Sequence, residues 1–147
     1  LRALDKHRPR SPIPDLPNPY LEGNYAPVGR EGDFAGLAPR LGRIPDGFAG
    51  TLYRMSPAPR FEPISRTLYH WFDGDGMIDA FQFADGSVHH RNRWVRTPRW
   101  QAEHTAGHAL FAGFGSQGAD PAAAGVDSGV ANTSVVWHAG RLLALEE

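Results

Sequence analysis

Two groups of side chains in this 147-residue chain have the types and spacing that site chemistry requires. The first is Asp73-Gly74-Asp75-Gly76, set inside the aromatic-rich run from Tyr69 to Met77. Alternating carboxylates suggest calcium, but the helix–loop–helix calcium site also needs a further oxygen ligand at the fifth position, a glycine at the sixth and a glutamate at the twelfth. Counted from Asp73, those positions are Met77, Ile78 and Ala84, so the pattern fails. The run reads instead as a strand entering a tight polar turn, where glycine supplies positive-φ backbone and aspartate hydrogen-bonds the turning chain. The second group is His104 and His108, which a helix would place on one face, where zinc sites are sometimes built. Glu103 precedes the first histidine rather than following it, so the metalloprotease arrangement is absent and the pair reads as exposed polar side chains. His89 and His90 are adjacent in a predicted strand and point to opposite faces, which argues against shared ligation. Trp71, Trp94, Trp100 and Trp137 could line an apolar tunnel. Packing within a core is the commoner fate of tryptophan and is the reading adopted.

The elements that must position these groups are short strands and turns. Residues 1–22 carry Pro9, Pro12, Pro14, Pro17 and Pro19, which fix φ and remove amide donors, so an extended arm precedes the domain at 23–147. Thr51 to Arg54 and Thr67 to Phe72 are strand candidates. Ile78 to Phe83 and Val88 to Thr97 form a predicted hairpin about Asp85-Gly86, with Pro98 stopping its second arm. One helix is predicted over Trp100 to Phe111, weakened by Gly107, followed by a glycine-rich loop over Gly113 to Gly129. Thr133 to Trp137 and Leu142 to Leu145, joined by Ala139-Gly140, make a second hairpin. Short strands with at most one helix predict an all-β fold.

Composition narrows the function. The formal charge is −1, from 15 basic and 16 acidic side chains, without the cationic excess that nucleic-acid binding requires. Absence of cysteine removes disulfides, thiolate ligands and cysteine nucleophiles together, and is compatible with a cytoplasmic location, the compartment expected here. No stretch approaches the roughly 20 apolar residues of a membrane span, which leaves peripheral contact as the compatible membrane role. The chain opens on Leu1 and closes directly after an apolar run, so it is expected to be a piece of a longer protein. Oligomeric state is not encoded in any of these features.

Six collinear segments resemble the carotenoid cleavage oxygenases. They are Asn18 to Val28, Gly42-Arg43-Ile44-Pro45, Gly50 to Arg54, His70 to Met77, Arg91 to Thr97, and Asn132-Thr133 with His138 to Leu145. The chain departs at Met55-Ser56-Pro57-Ala58-Pro59, where the family commonly carries Asn-Gly-Pro-Asn-Pro. The resemblance implies the N-terminal third of a seven-bladed β-propeller. It further implies a non-haem iron(II) dioxygenase that splits a carbon–carbon double bond of a carotenoid or apocarotenoid. Its partners would be an apolar conjugated small molecule and dioxygen. A lignostilbene-type dioxygenase is the alternative within that chemistry, and a non-catalytic β-domain binding an apolar ligand or partner is the alternative outside it. The four histidines that bind iron in the family fall beyond the matched region, so the resemblance implies no metal ligand and no catalytic residue in this chain, which alone would be inactive. It assigns Glu147, ahead of Glu146, to the carboxylate that accepts a hydrogen bond from a ligand imidazole, an interaction that fixes the ring's tautomer and direction. For substrate contact the candidates are Trp94 and Arg141. The guanidinium of Arg141 could meet a phenol or carboxylate if the stilbene-cleaving branch applies, although a hairpin surface charge is the plainer reading.

Overall fold

The computed structural model describes residues 17–114 and 119–147. Most of the proline-rich arm expected over 1–22 lies outside them. The described end of that arm is anchored by Asn18, a buried residue whose amide donates to the carbonyls of Arg66 (2.6 Å) and Tyr69 (2.8 Å).

The described residues build an all-β fold with one short helix. Strands β1 (Gly32–Leu37), β2 (Gly50–Pro57), β3 (Gly76–Ala84) and β4 (Ser87–Trp94) form an antiparallel sheet in the order β1-β4-β3-β2. A separate hairpin pairs β5 (Ser134–His138) with β6 (Arg141–Leu145). Both predicted hairpins form. Asp85 and Gly86 have φ of 49° and 71°, and Ala139 and Gly140 have 48° and 76°. Two consecutive positive-φ residues give the two-residue turn whose twist matches that of antiparallel strands.

Three elements differ from the sequence reading. Thr67 to Phe72 is not a strand. The chain turns there and makes a 3-10 turn over Trp71–Asp73, because the Asp73 carboxylate accepts the His70 N–H and the His70 ring accepts the Phe72 N–H. The helix α1 runs Pro98–Ala106, two residues earlier than predicted at its start and five shorter at its end. Thr97 Oγ1 caps it by accepting the Trp100 N–H at 3.1 Å, Pro98 occupies the first helical position, and left-handed Gly107 closes it. Strand β1 was not predicted. It is held by Asn92, whose side chain accepts the Gly32 N–H (2.6 Å) and donates to the Arg30 carbonyl (3.0 Å).

The core lies between the sheet and α1. Met77, fully buried, packs with Trp94, Trp100 and Ala58, and Trp94 Nε1 donates to the Ala58 carbonyl at 2.7 Å. Burying one such apolar side chain is worth about 1.5–3 kcal/mol, whereas an exposed pair such as Arg91–Asp33 is screened by solvent and holds little. The α1 side, not the ionic outer face, therefore holds the sheet. Leu110, Phe111 and Ala123 form a second cluster against Ala102 and Val126.

Candidate functional site

The Asp73-Gly74-Asp75-Gly76 run joins the sheet to everything on its far side. Gly76 donates its N–H to the Val130 carbonyl (2.8 Å), and a Cβ at this position would run into the Ala131 carbonyl oxygen. Glycine is thus required where β3 begins, by close backbone approach. The Asn132 amide clamps the same run by donating to the carbonyls of Phe72 (2.9 Å) and Gly74 (2.7 Å). Asp73 spends both carboxylate oxygens on backbone, accepting from His70 N and, at 2.9 Å, from Phe114 N. Carboxylates used this way hold turns rather than ions.

These clamps set the walls of a cleft of about 620 Å³. Trp71, Phe72 and Phe114 supply aromatic surface, while Arg54, Glu146 and Glu147 bring charge to it. Phe72 and Phe114 are exposed, at 62% and 69%. Glu146 is tied down, its Oε2 accepting the Ala131 N–H at 3.2 Å. Glu147, the second residue after β6, lines the same cleft, and among the described residues no donor is bonded to its carboxylate. The arrangement can bind an apolar, flat molecule along the aromatic wall and offers the Glu147 carboxylate as a hydrogen-bond acceptor.

Behind the wall lies a polar brace that the sequence reading missed. Arg99 on α1 donates to the Asp73 carbonyl (3.2 Å), with its Nε 3.9 Å from Asp75 Oδ1 and 3.7 Å from Glu103 Oε1. Glu103 Oε1 accepts the N–H groups of Leu110 (2.9 Å) and Phe111 (3.2 Å), so it fixes the chain as it leaves the helix. Asp75 Oδ2 accepts the Arg60 N–H at 2.9 Å. Burial raises the Asp75 carboxyl above the ordinary aspartate range, with Glu103 adding to the rise. Burial likewise raises the Tyr69 phenol, and the charges of Asp73 and Asp75 push it the same way. The i, i+4 spacing of Arg99 and Glu103 was the available signal.

The other sequence candidates lie elsewhere. Trp94 is buried in the core and Arg141 is exposed at the start of β6, and neither lines the cleft. Of the tryptophans, Trp94 and Trp100 pack as core, Trp71 lines the cleft, and Trp137 is 62% exposed on the hairpin. His104 stacks on Trp100 at 4.6 Å, but His108 lies beyond the end of α1, so helical geometry does not bring the two to one face. His89 pairs with Asp33 and His90 with Asp79, on opposite faces as expected. Among the described residues no cluster of three or more histidine, cysteine or acidic side chains is placed to hold a metal ion. No helix among them is long and apolar enough to cross a membrane.

Residues 25–147 match the family model described as retinal pigment epithelial membrane protein (RPE65). The chain belongs to this family, the carotenoid cleavage oxygenases. Within it, the chain is 39% identical over 131 residues to an isoeugenol monooxygenase of Pseudomonas nitroreducens, covering 88% of this chain and 27% of that protein. It is 42% identical over 137 residues to a carotenoid cleavage oxygenase of Mycobacterium tuberculosis, covering 88% and 24%. Among solved structures it resembles the lignostilbene dioxygenase of Pseudomonas brassicacearum, with a TM-score of 0.80 and 36% identity over 92% of this chain and 28% of that one. The chain thus spans about a quarter of the length of the carotenoid cleavage oxygenase family members it matches.

Proposed function

We propose that this chain is the N-terminal portion of an oxygenase that splits a carbon–carbon double bond of a carotenoid or apocarotenoid into two carbonyl products. The observation that carries this reading is the family match over residues 25–147, together with named cleavage oxygenases among the relatives. Residues 23–147 would supply part of a seven-bladed propeller, with 1–22 as an arm. The aromatic wall of Trp71, Phe72 and Phe114 suits a conjugated apolar chain, since such sites are lined mainly by apolar and aromatic groups. Among the described residues no group of three or more histidine, cysteine or acidic side chains is placed to take iron as its direct ligands. The role assigned to this chain is to hold the substrate wall and, through Glu147, to accept the N–H of an imidazole supplied from outside residues 1–147. The carboxylate's place in the cleft, with no donor bonded to it among the described residues, supports that role.

A lignostilbene-type substrate is the second reading, favoured by the TM-score of 0.80 to a lignostilbene dioxygenase. The test is to incubate the complete protein with an apocarotenal and with a hydroxystilbene under ¹⁸O-labelled dioxygen and to identify carbonyl products by mass spectrometry. Labelled aldehydes from the polyene support the first reading, and cleavage of the stilbene alone supports the second. Cleavage of neither would overturn both and leave a non-catalytic binding domain.

A further inference from the structure

The polar brace behind the cleft contains a gap that its protein atoms do not close. Asp75 and Glu103 are each 2% exposed, and Arg99 between them is largely buried. Asp75 Oδ1 and Arg99 Nε each have negligible solvent contact, and neither forms a hydrogen bond with another protein group among the described residues. Leaving such atoms unmatched costs about 1–3 kcal/mol each, more when charged. The separations of 3.9 Å and 3.7 Å from Arg99 Nε to Asp75 and Glu103 are too long for direct hydrogen bonds, and polar gaps beyond about 3.5 Å are commonly bridged by water. A small cavity of about 20 Å³ is lined by Tyr69, Asp75, Arg99 and Glu103. One water needs roughly 10–15 Å³ on this measure and two to four polar partners.

We propose that this cavity is a binding site for one structural water that accepts from Arg99 Nε and donates to Asp75 Oδ1. A water at about 2.8 Å from each atom sees them at an angle near 90°, which suits one acceptor and one donor contact on the same oxygen. Its remaining hydrogen is directed to Glu103 Oε1 or to the Tyr69 hydroxyl. The water thereby couples the turn that enters β3 to α1, and through Asp73 and Glu103 it sets the chain segments that carry Phe72, Phe111 and Phe114. A divalent cation is a poorer occupant, since hard cations take six or more oxygen ligands and would face the Arg99 charge.

The test is a high-resolution crystal structure of the protein, read together with the count of long-lived waters from ¹⁷O relaxation dispersion in solution. The expected result is a single well-ordered peak within about 3.2 Å of both Asp75 Oδ1 and Arg99 Nε, matched by a slowly exchanging water in solution. A direct Asp75–Arg99 hydrogen bond that closes the cavity would overturn the proposal, as would a cavity free of density. So would a peak at about 2.3–2.6 Å from both carboxylates, which marks a cation.

Discussion

A carboxylate as enclosed as Asp75 loses hydration that the Arg60 N–H and the Arg99 guanidinium replace only in part, and burial accordingly raises its carboxyl. The sign of the consequence follows from linkage. Below the unfolded-state value both states hold the proton and Asp75 adds no penalty; as pH climbs through the raised folded value, the fold must hold the charge and stability falls. Asp75→Asn removes that dependence while keeping an oxygen for the Arg60 N–H. The variant's stability relative to the parent, from urea midpoints, should therefore be higher at pH 7 than at pH 4. A difference independent of pH would mean that Asp75 is not a strained carboxylate. Glu147 makes a separate prediction in the complete oxygenase. Groups that orient a metal-binding imidazole typically change affinity by about 10–100-fold when lost, so Glu147→Gln should weaken iron retention against a chelator by that factor. Glu146→Gln, at a carboxylate already accepting the Ala131 N–H, should leave retention unchanged, and equal losses in the two would refute the assignment. Neither residue was legible by local pattern. Glu147 came only from family resemblance, and Asp75 was legible as a turn residue but not as the partner of Arg99, because docking of α1 joins positions 24 apart in sequence.

At the scale of elements, what was legible followed strictly local chemistry. Asp85-Gly86 and Ala139-Gly140 marked both hairpins because a two-residue turn is specified by its own residues. The sequence pattern places the start of α1 too late because Pro98 reads as the end of a strand, whereas it is the first residue of a helix capped by Thr97, which carries the signal. Strand β1 left little trace, since Gly-Asp-Phe-Ala-Gly-Leu has weak strand propensity and is secured by Asn92 from 60 residues away. The Asp73–Gly76 run does turn, but not through positive-φ glycine as the sequence suggests: Gly74 has φ −75°, Gly76 is not left-handed either, and the reason for the last glycine is tertiary. Gly76→Ala forces a methyl against the Ala131 carbonyl, where backbone must move. Overpacking of this kind costs about 1–3 kcal/mol. The variant should unfold at correspondingly lower denaturant and lose near-ultraviolet signal from the cleft tryptophan, whereas Gly86→Asn, at an open turn that tolerates a left-handed residue, should lose much less. Equal losses would show that the contact with Ala131 is not what selects glycine.

Over the whole molecule, stability is unevenly distributed. Strands β3 and β4 are hydrogen-bonded on both sides within the four-stranded sheet and carry Met77 and Trp94 into the core. Among the described residues each strand of the β5–β6 hairpin has a single partner strand, and Val136, Trp137, Leu143 and Leu145 are exposed. It is joined to the rest mainly by Gly76 N to Val130 O, by the Asn132 amide and by a few contacts with β2. Isolated two-stranded hairpins are marginal in water, because too little apolar surface is buried to offset ordering the chain. Amide exchange on the 147-residue chain should therefore separate into two tiers, with β3 and β4 amides opening near the global unfolding free energy and β5 and β6 amides opening well below it. Asn132→Ala removes the amide that grips Phe72 and Gly74, so it should accelerate exchange in the hairpin and across Trp71–Gly74 while sparing the centre of β3. If all six strands exchanged as one unit, the hairpin would have to be cooperative with the core, and the cleft between them would be a rigid site. Two tiers would instead show that in the 147-residue chain the hairpin opens apart from the aromatic side, which Asp73, Arg99 and Glu103 fix.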